Sequence, residues 1–198
     1  MADAARVALV WRAEPLVWGR GARRFEVFLE PTCPYSAKIF PKLFELLASV
    51  GEDRMTVKIR LLSQPWHLFS GIVTRAILAA STTAEGREAA RRVMAAVYAN
   101  RDEFEFTRHS SGANMDETPN GILARIEARS GVAVAEAFAI PDLDRESKWH
   151  ARYARQNGAH TTPTFMIDGI VRADLSSGDA VEKWVEALEL DDPASVPR

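Results

Sequence analysis

Two kinds of hydrophobic spacing alternate in the first third of the chain. Residues Phe25 to Leu29 form a short apolar run of β-prone residues, which Glu30-Pro31-Thr32 interrupts. From Pro34 to Val50 the apolar residues recur instead at the spacing of an amphipathic helix. Met55 to Leu62 alternates and then becomes fully apolar, which predicts a second, parallel strand. Strand, helix and strand together predict a βαβ unit.

A long helical stretch follows the second strand. From Trp66 to about Gln156 the apolar residues keep a helical spacing, apart from a polar segment, Arg108 to Thr118, that predicts a loop. This stretch predicts an inserted helical subdomain at residues 66–156. Residues 1–65 and 157–198 would then form the domain that contains the sheet.

Strand spacing returns near the end of the chain. Thr164 to Ile167 predicts a strand, Asp168-Gly169 a hairpin turn and Ile170-Val171 the start of its partner. A closing helix follows, with Ser177 or Asp179 as its predicted cap. The alternation of strands and helices makes the predicted fold class α/β.

The only cysteine, Cys33, lies where the first strand gives way to the helix. Thr32 or Cys33 would cap that helix, and Pro34 would occupy its first turn, where a missing N–H costs nothing. The sulfur would then lie near free backbone N–H groups at the positive end of the helix, which favours the nucleophilic thiolate. A lone cysteine is more often a small buried hydrophobe, but this position predicts a reactive site.

Two segments resemble one family. Phe25 to Ser36 (F-E-V-F-L-E-P-T-C-P-Y-S) resembles the active-site segment of DsbA-type thioredoxin-fold oxidoreductases, which carry C-P-x-C after an apolar strand. Downstream, Thr162-Pro163-Thr164, with the apolar strand and Gly169 that follow, is similar to the family's segment whose cis proline faces the active-site cysteine. The resemblance implies a thioredoxin-like sheet with an inserted α-helical subdomain.

The resemblance also implies which residues contact the substrate. Pro34 and Tyr35 would lie beside the thiol, and Thr162 and Pro163 would present backbone groups to a bound peptide or to glutathione. Tyr35 would either line a substrate groove or pack on the end of the helix, and the sequence does not decide between these roles.

Ser36 stands where the family has its second, resolving cysteine. Because serine cannot form a disulfide, this chain cannot run an intramolecular dithiol cycle. Its hydroxyl, one helical turn further on, could instead donate a hydrogen bond to the Cys33 thiolate. The sequence therefore predicts catalysis by Cys33 with Ser36 beside it, through a mixed disulfide that an external thiol such as glutathione resolves.

Two other functions remain open from the sequence. Relatives with the same insertion use a serine near the helix start to activate bound glutathione, so Ser36 could belong to a glutathione-dependent S-transferase or isomerase. The chain could also be a non-catalytic binding protein that retains the fold. Glutathione conjugation or isomerisation, instead of disulfide exchange, would indicate the first alternative. A Cys33 with the reactivity of an ordinary thiol would indicate the second.

Three further residues flank the predicted site. Glu30 precedes Cys33 by three residues and is expected to be an exposed loop carboxylate. His67 and His160 could assist the thiolate as imidazolium ions, although solvated surface histidines are the stronger expectation. One cysteine and four scattered histidines offer no metal-ligand spacing, so we expect no metal and no bound cofactor.

Composition limits the partners and the compartment. A net charge of −2 and a pI of about 6.1 give no electrostatic case for nucleic acid or an anionic membrane. The apolar run Val7 to Trp11 is too short for the core of a signal peptide, and a single cysteine permits no internal disulfide. We therefore expect a cytoplasmic protein with a thiol or disulfide substrate, and a homodimer remains possible.

Overall fold

The computed structural model describes residues 15–106 and 111–190, so the apolar run Val7 to Trp11 lies outside the described residues. The strands are β1 (Val17–Gly19), β2 (Arg23–Leu29), β3 (Met55–Leu61), β4 (Thr164–Ile167) and β5 (Ile170–Val171). The helices are α1 (Pro34–Val50), α2 (Ser70–Ala80), α3 (Arg87–Ala99), α4 (Pro119–Ser130), α5 (Ala135–Phe138), α6 (Leu143–Gln156) and α7 (Val181–Ala187), with 3₁₀ turns at Arg101–Glu103 and Ala113–Asp116. Over the described residues, none of the helices has both the length and the apolar character needed to cross a membrane.

One mixed five-stranded sheet, in the order β1-β3-β2-β4-β5, forms the centre of the fold. β2 and β3 are parallel, with Leu29 opposite Leu61 at their carboxyl ends. β4 runs antiparallel to β2, with Thr164 opposite Phe28. Helices α2 to α6 all lie between β3 and β4 in the chain. This confirms the predicted α/β class and thioredoxin-like sheet with helices inserted in its middle, while the boundaries at residues 66 and 156 stay a prediction.

Alternation along β2 gives the sheet two buried faces. Phe25, Val27 and Leu29 belong to the main core, which also contains buried residues of α1 and α7. Phe28 points to the other face and packs with Ala154 of α6 and residues near β3 and β4. Because helices cover both faces of the sheet, the sequences of the central strands are nearly continuous apolar runs.

A buried ion pair joins α6 to the second face. Glu26 and Arg60, on neighbouring strands, are 1% and 7% exposed and form a salt bridge. The Tyr153 hydroxyl donates to Glu26 Oε2 at 3.2 Å, and the Arg60 guanidinium lies 4.4 Å from the Trp149 ring centroid and 4.6 Å from that of Tyr153. Buried charges persist only when paired and hydrogen-bonded, so this cluster fixes where α6 lies on the sheet.

Most helix ends follow the local signals, but the cap of α7 differs from the prediction. Neither Ser177 nor Asp179 caps this helix, whose N-cap is Ala180. The Asp179 carboxylate is already engaged, because it accepts the N–H of Ser176 at 2.7 Å and pairs with Lys183 at 3.0 Å. The side chain thus organises the preceding turn rather than the helix.

Trp184 provides a test of how α7 is held. It is fully buried, with its ring centroid 5.7 Å from that of Phe25 and 5.3 Å from that of Phe165. We expect Trp184→Ala to lower the free energy of unfolding by about 3–5 kcal/mol, because it leaves a cavity against β2 and β4. Guanidinium unfolding measures this change.

The matched control is Trp66→Ala, since Trp66 is 67% exposed. It removes the same side chain and should change the free energy of unfolding by less than about 0.5 kcal/mol. Equal losses in the two variants would contradict the docking of α7 through Trp184.

Candidate active site

Cys33 is the N-cap residue of α1, with extended backbone angles (φ −69°, ψ 131°) and Pro34 directly after it. Of the two predicted caps it is therefore Cys33, not Thr32, that takes this position. Its N–H donates to the Glu30 carbonyl at 3.3 Å, and its own carbonyl accepts the N–H of Ala37 at 2.9 Å. The sulfur consequently lies at the amino-terminal end of a 17-residue helix.

The predicted cis proline lies against this cysteine. The Thr162–Pro163 peptide bond is cis, as predicted, and the Thr162 carbonyl accepts a hydrogen bond from the Cys33 thiol at 3.7 Å. The pairing of β4 with β2 brings the two loops together, because Thr164 is opposite Phe28 near the end of β2. The structure thus brings Cys33 and Thr162-Pro163 into one site.

Exposed apolar side chains lie in the first turn of α1 and in the loop after β3. Tyr35 is 60% exposed, which favours a place on a binding surface over packing on the helix end. Trp66 and Leu68, in the loop after β3, are 67% and 55% exposed. That loop is tied to the cis-proline loop, since Gln64 Nε2 donates to the His160 carbonyl at 3.2 Å.

Ser36 is oriented toward the backbone rather than toward the thiol. It is fully buried, and its Oγ accepts the Glu30 N–H at 3.1 Å. Tyr98 reaches the same place, with its hydroxyl donating to the Glu30 carbonyl at 3.2 Å. Among the described contacts there is no hydrogen bond between Ser36 and Cys33, so the expected contact to the thiolate is absent from this arrangement. Burial, together with the charges of Glu30 and Cys33, raises the pKa of Tyr98 well above its usual value.

Glu30 is completely buried, and the expectation of an exposed loop carboxylate is wrong. The turn folds the side chain inward, where Oε2 accepts the Thr32 N–H at 2.8 Å and the Thr32 hydroxyl at 3.0 Å. Burial raises the pKa of Glu30 above its usual value, although the hydroxyl of Ser70, the His67 ring and Thr32 oppose that rise. The site therefore contains a carboxylate that is costly to ionise without these partners.

His67 lies beside this carboxylate, so the expectation of a solvated histidine is wrong for it. Its side chain is 14% exposed; Nδ1 contacts Glu105 Oε1, and Nε2 lies 3.8 Å from Glu30 Oε2. The hydrogen bond to Glu105 is the main reason that the pKa of His67 is raised, despite the opposing effect of burial. His160, in contrast, is exposed, as expected.

The sequence did not indicate that Glu30, His67 and Glu105 meet. Their nitrogen and carboxylate oxygen atoms all lie within 4.8 Å of one another. Because His67 Nδ1 contacts Glu105 Oε1 directly, we assign the group to hydrogen bonding and ion pairing. The position of His67 after the end of β3 could have indicated a site residue, because sites gather at the carboxyl ends of strands. Nothing in the sequence around Glu105, 38 residues further on, indicated that it contacts His67.

Comparison with known proteins decides the family. A family model described as thioredoxin matches residues 22–187. The chain belongs to the thioredoxin family. Among solved structures, a Pseudomonas syringae protein provisionally described as a protein-disulfide isomerase is 60% identical, with a TM-score of 0.86 over 88% of this chain and 97% of that one. A comparison with curated protein sequences gave no match.

More distant thioredoxin-family structures share the fold. DsbA2 from Pseudomonas aeruginosa is 18% identical, with a TM-score of 0.65 over 92% of this chain and 96% of that one. The thiol-disulfide exchange protein alpha-DsbA2 from Wolbachia pipientis is 16% identical, with a TM-score of 0.65 over 90% and 87%. The predicted DsbA-like thioredoxin fold is confirmed by these neighbours.

Ser36→Ala tests the structural role of that hydroxyl. The change leaves the buried Glu30 N–H without its acceptor, so we expect the free energy of unfolding to fall by about 1–3 kcal/mol. The rate of Cys33 alkylation by iodoacetamide should not change, since no contact links the two side chains. A slower alkylation would show that the hydroxyl stabilises the thiolate after all.

Ser49→Ala is the control for this variant. Ser49 lies in the same helix, but it is exposed and its hydroxyl only donates to the Leu46 carbonyl at 2.9 Å. Its removal leaves no buried group unpaired and should change the free energy of unfolding by less than about 0.5 kcal/mol.

Proposed function

We propose that the protein is a thiol-disulfide oxidoreductase or isomerase that acts through Cys33 alone. The proposal rests on the position of the sulfur. Cys33 is the N-cap residue of α1, and its thiol contacts the carbonyl of Thr162, next to the cis proline. The helix terminus favours the thiolate. A cytoplasmic location, where small thiols keep cysteines reduced, is part of the same proposal.

The chemistry is disulfide exchange in two balanced steps. The Cys33 thiolate attacks one sulfur of a substrate disulfide; a new S–S bond forms, the old one breaks, and the other sulfur leaves as a thiolate. An external thiolate, for which glutathione is our candidate, then attacks the mixed disulfide. That step forms a disulfide between the external thiol and the substrate sulfur and returns Cys33 as a thiolate, so no second cysteine is needed.

The surface around Cys33 is consistent with a peptide disulfide as the substrate. Tyr35, in the first turn of α1, and Trp66 and Leu68, in the loop after β3, expose large apolar side chains. Exposed aromatic and aliphatic groups of this kind contact apolar side chains of a partner. The Thr162 carbonyl contacts the sulfur at 3.7 Å, and an extended peptide bound along this loop would pass close to Cys33.

The transferase alternative is less well supported. It requires the Ser36 hydroxyl to touch bound glutathione, yet Ser36 is fully buried and its hydroxyl accepts the Glu30 N–H. A group in that position does not face a ligand above the end of the sheet. The structure thus favours Cys33 over Ser36 as the reacting residue.

The decisive experiment is intact-mass analysis after incubation with oxidised glutathione. We expect one glutathione adduct per chain, removed by fresh thiol, because the thiolate attacks the glutathione disulfide. Cys33→Ser is the control and should gain no mass. Failure of the natural chain to form the adduct would reject the proposal and favour a non-catalytic binding protein.

Ser36→Cys tests whether the second thiol alone is missing. A thiol at this position lies one helical turn from Cys33, and we expect an intramolecular disulfide, seen as the loss of both free thiols on oxidation. The variant should then oxidise or reduce a dithiol substrate without added glutathione, unlike the natural chain. If both thiols remain titratable under oxidising conditions, the site does not hold a dithiol geometry.

A further inference from the structure

His67 lies between two carboxylates that belong to different parts of the chain. Its Nδ1 contacts Oε1 of Glu105, which follows the 3₁₀ turn after α3, and its Nε2 lies 3.8 Å from Oε2 of the buried Glu30. The ring is 14% exposed and Glu105 13%, whereas the Glu30 side chain has no exposed surface. Among the described residues, the His67 ring is thus a basic group within 4 Å of a carboxylate that solvent does not reach.

Glu30 belongs to the turn that holds the nucleophile. Its carbonyl accepts the N–H of Cys33 at 3.3 Å, and its carboxylate accepts the N–H of Thr32, the residue before the cysteine. The Tyr98 hydroxyl donates to the same Glu30 carbonyl at 3.2 Å, so Glu30 and Cys33 share one enclosed hydrogen-bonded turn. A negative charge on Glu30 disfavours a second negative charge on the Cys33 sulfur.

The charged groups around His67 and Glu30 compensate one another. The hydrogen bond from Glu105 raises the pKa of His67, burial and Arg101 act against that rise, and the charge of Glu30 adds to it. The charge of His67 in turn favours the ionised form of Glu30, against the effect of burial. The charged form of each group therefore favours the charged form of the other across the 3.8 Å between them.

We propose that His67 is a positioning residue of the thiol site, which neutralises the buried charge of Glu30 so that the Cys33 thiolate forms beside a neutral pair. Glu105 supports this role by keeping the ring cationic. The inference rests on the proposed function, in that Cys33 must act as a thiolate, but it assigns a task to three residues outside the C-P-Y-S segment.

The test is the pH profile of Cys33 alkylation by iodoacetamide, from about pH 5 to about pH 9, where histidine and cysteine side chains titrate. His67→Gln keeps a hydrogen-bonding side chain but removes the charge, and we expect alkylation about tenfold slower at pH 7. Glu30→Gln should be faster than the natural chain, because it leaves His67 cationic and unopposed.

The double variant His67→Gln/Glu30→Gln distinguishes charge from structure. With both charges removed, the alkylation rate should return to within about twofold of the natural chain. A structural role of His67 would instead leave the double variant at least as slow as His67→Gln. An unchanged rate in His67→Gln, or no recovery in the double variant, overturns the proposal.

The Glu105→Gln variant gives a second measurement in which His67 itself is not replaced. Below about pH 6.5, the usual value for histidine, the ring is cationic with or without Glu105, so the two alkylation rates should agree. As the pH rises through the raised pKa of His67, the variant should become slower first. The stability that the Glu105–His67 pair contributes follows the same sign, being fully present below about pH 6.5 and lost as His67 deprotonates.

A measurement with the chelator EDTA tests whether Glu30, His67 and Glu105 instead bind a metal ion. Alkylation profiles with and without EDTA should coincide, since we assign the three residues to ion pairing; a profile that changes with EDTA would overturn that assignment. Alkylation also requires no disulfide exchange. If the profiles behave as expected but oxidised glutathione gives no adduct, the proposed function fails and the role of His67 stands; the reverse result rejects only the role of His67.

Discussion

The backbone of Glu30 holds the active-site turn together. Its carbonyl accepts the N–H of Cys33 and the hydroxyl of Tyr98, and its N–H donates to Ser36. These partners come from the turn itself, from α3 and from α1, so three elements meet at the backbone of one residue. Buried backbone groups left unpaired cost free energy comparable to a lost hydrogen bond, and that requirement fixes the position of the cysteine relative to both helices.

The inserted helices contribute to the site as well as to the core. Tyr98 lies in α3, Glu105 follows it, and His67 precedes α2. Without these residues the carbonyl of Glu30 would lose a donor, and its carboxylate would have no cation beside it. The helices between β3 and β4 and the loops at their ends therefore supply much of the polar surroundings of the turn that follows β2.

The parts of the fold that were predictable depend on local sequence. Strands β2 to β5 and helix α1 follow from periodicity, Pro34 and the turn residues, and the cis peptide at Pro163 follows from the resemblance of its segment. The burial of Glu30 and the pairing of His67 were not predictable in this way, because they depend on contacts between residues 37 or more positions apart. A polar residue in a turn is usually solvated, and only the tertiary arrangement shows which one is enclosed.

Ser36 illustrates the same limit at close range. Its spacing from Cys33 suggested a hydrogen bond to the sulfur, yet the buried Glu30 N–H requires an acceptor, and the Ser36 hydroxyl is 3.1 Å from it. Because the hydroxyl meets that requirement, it is a structural group. The serine at the fourth position of the C-P-Y-S segment thus contributes to the structure of the turn.

A single cysteine also has a consequence for the oxidised state. In a dithiol enzyme, oxidation closes a ring within the protein and leaves its outer surface almost unchanged. Here Cys33 has no partner sulfur in the chain, so its disulfide form must be a conjugate that carries another molecule at the end of α1. Oxidation of Cys33 and occupation of the surface around it would then happen in one step. In its disulfide form the protein would have to release the first bound molecule before it could take a second.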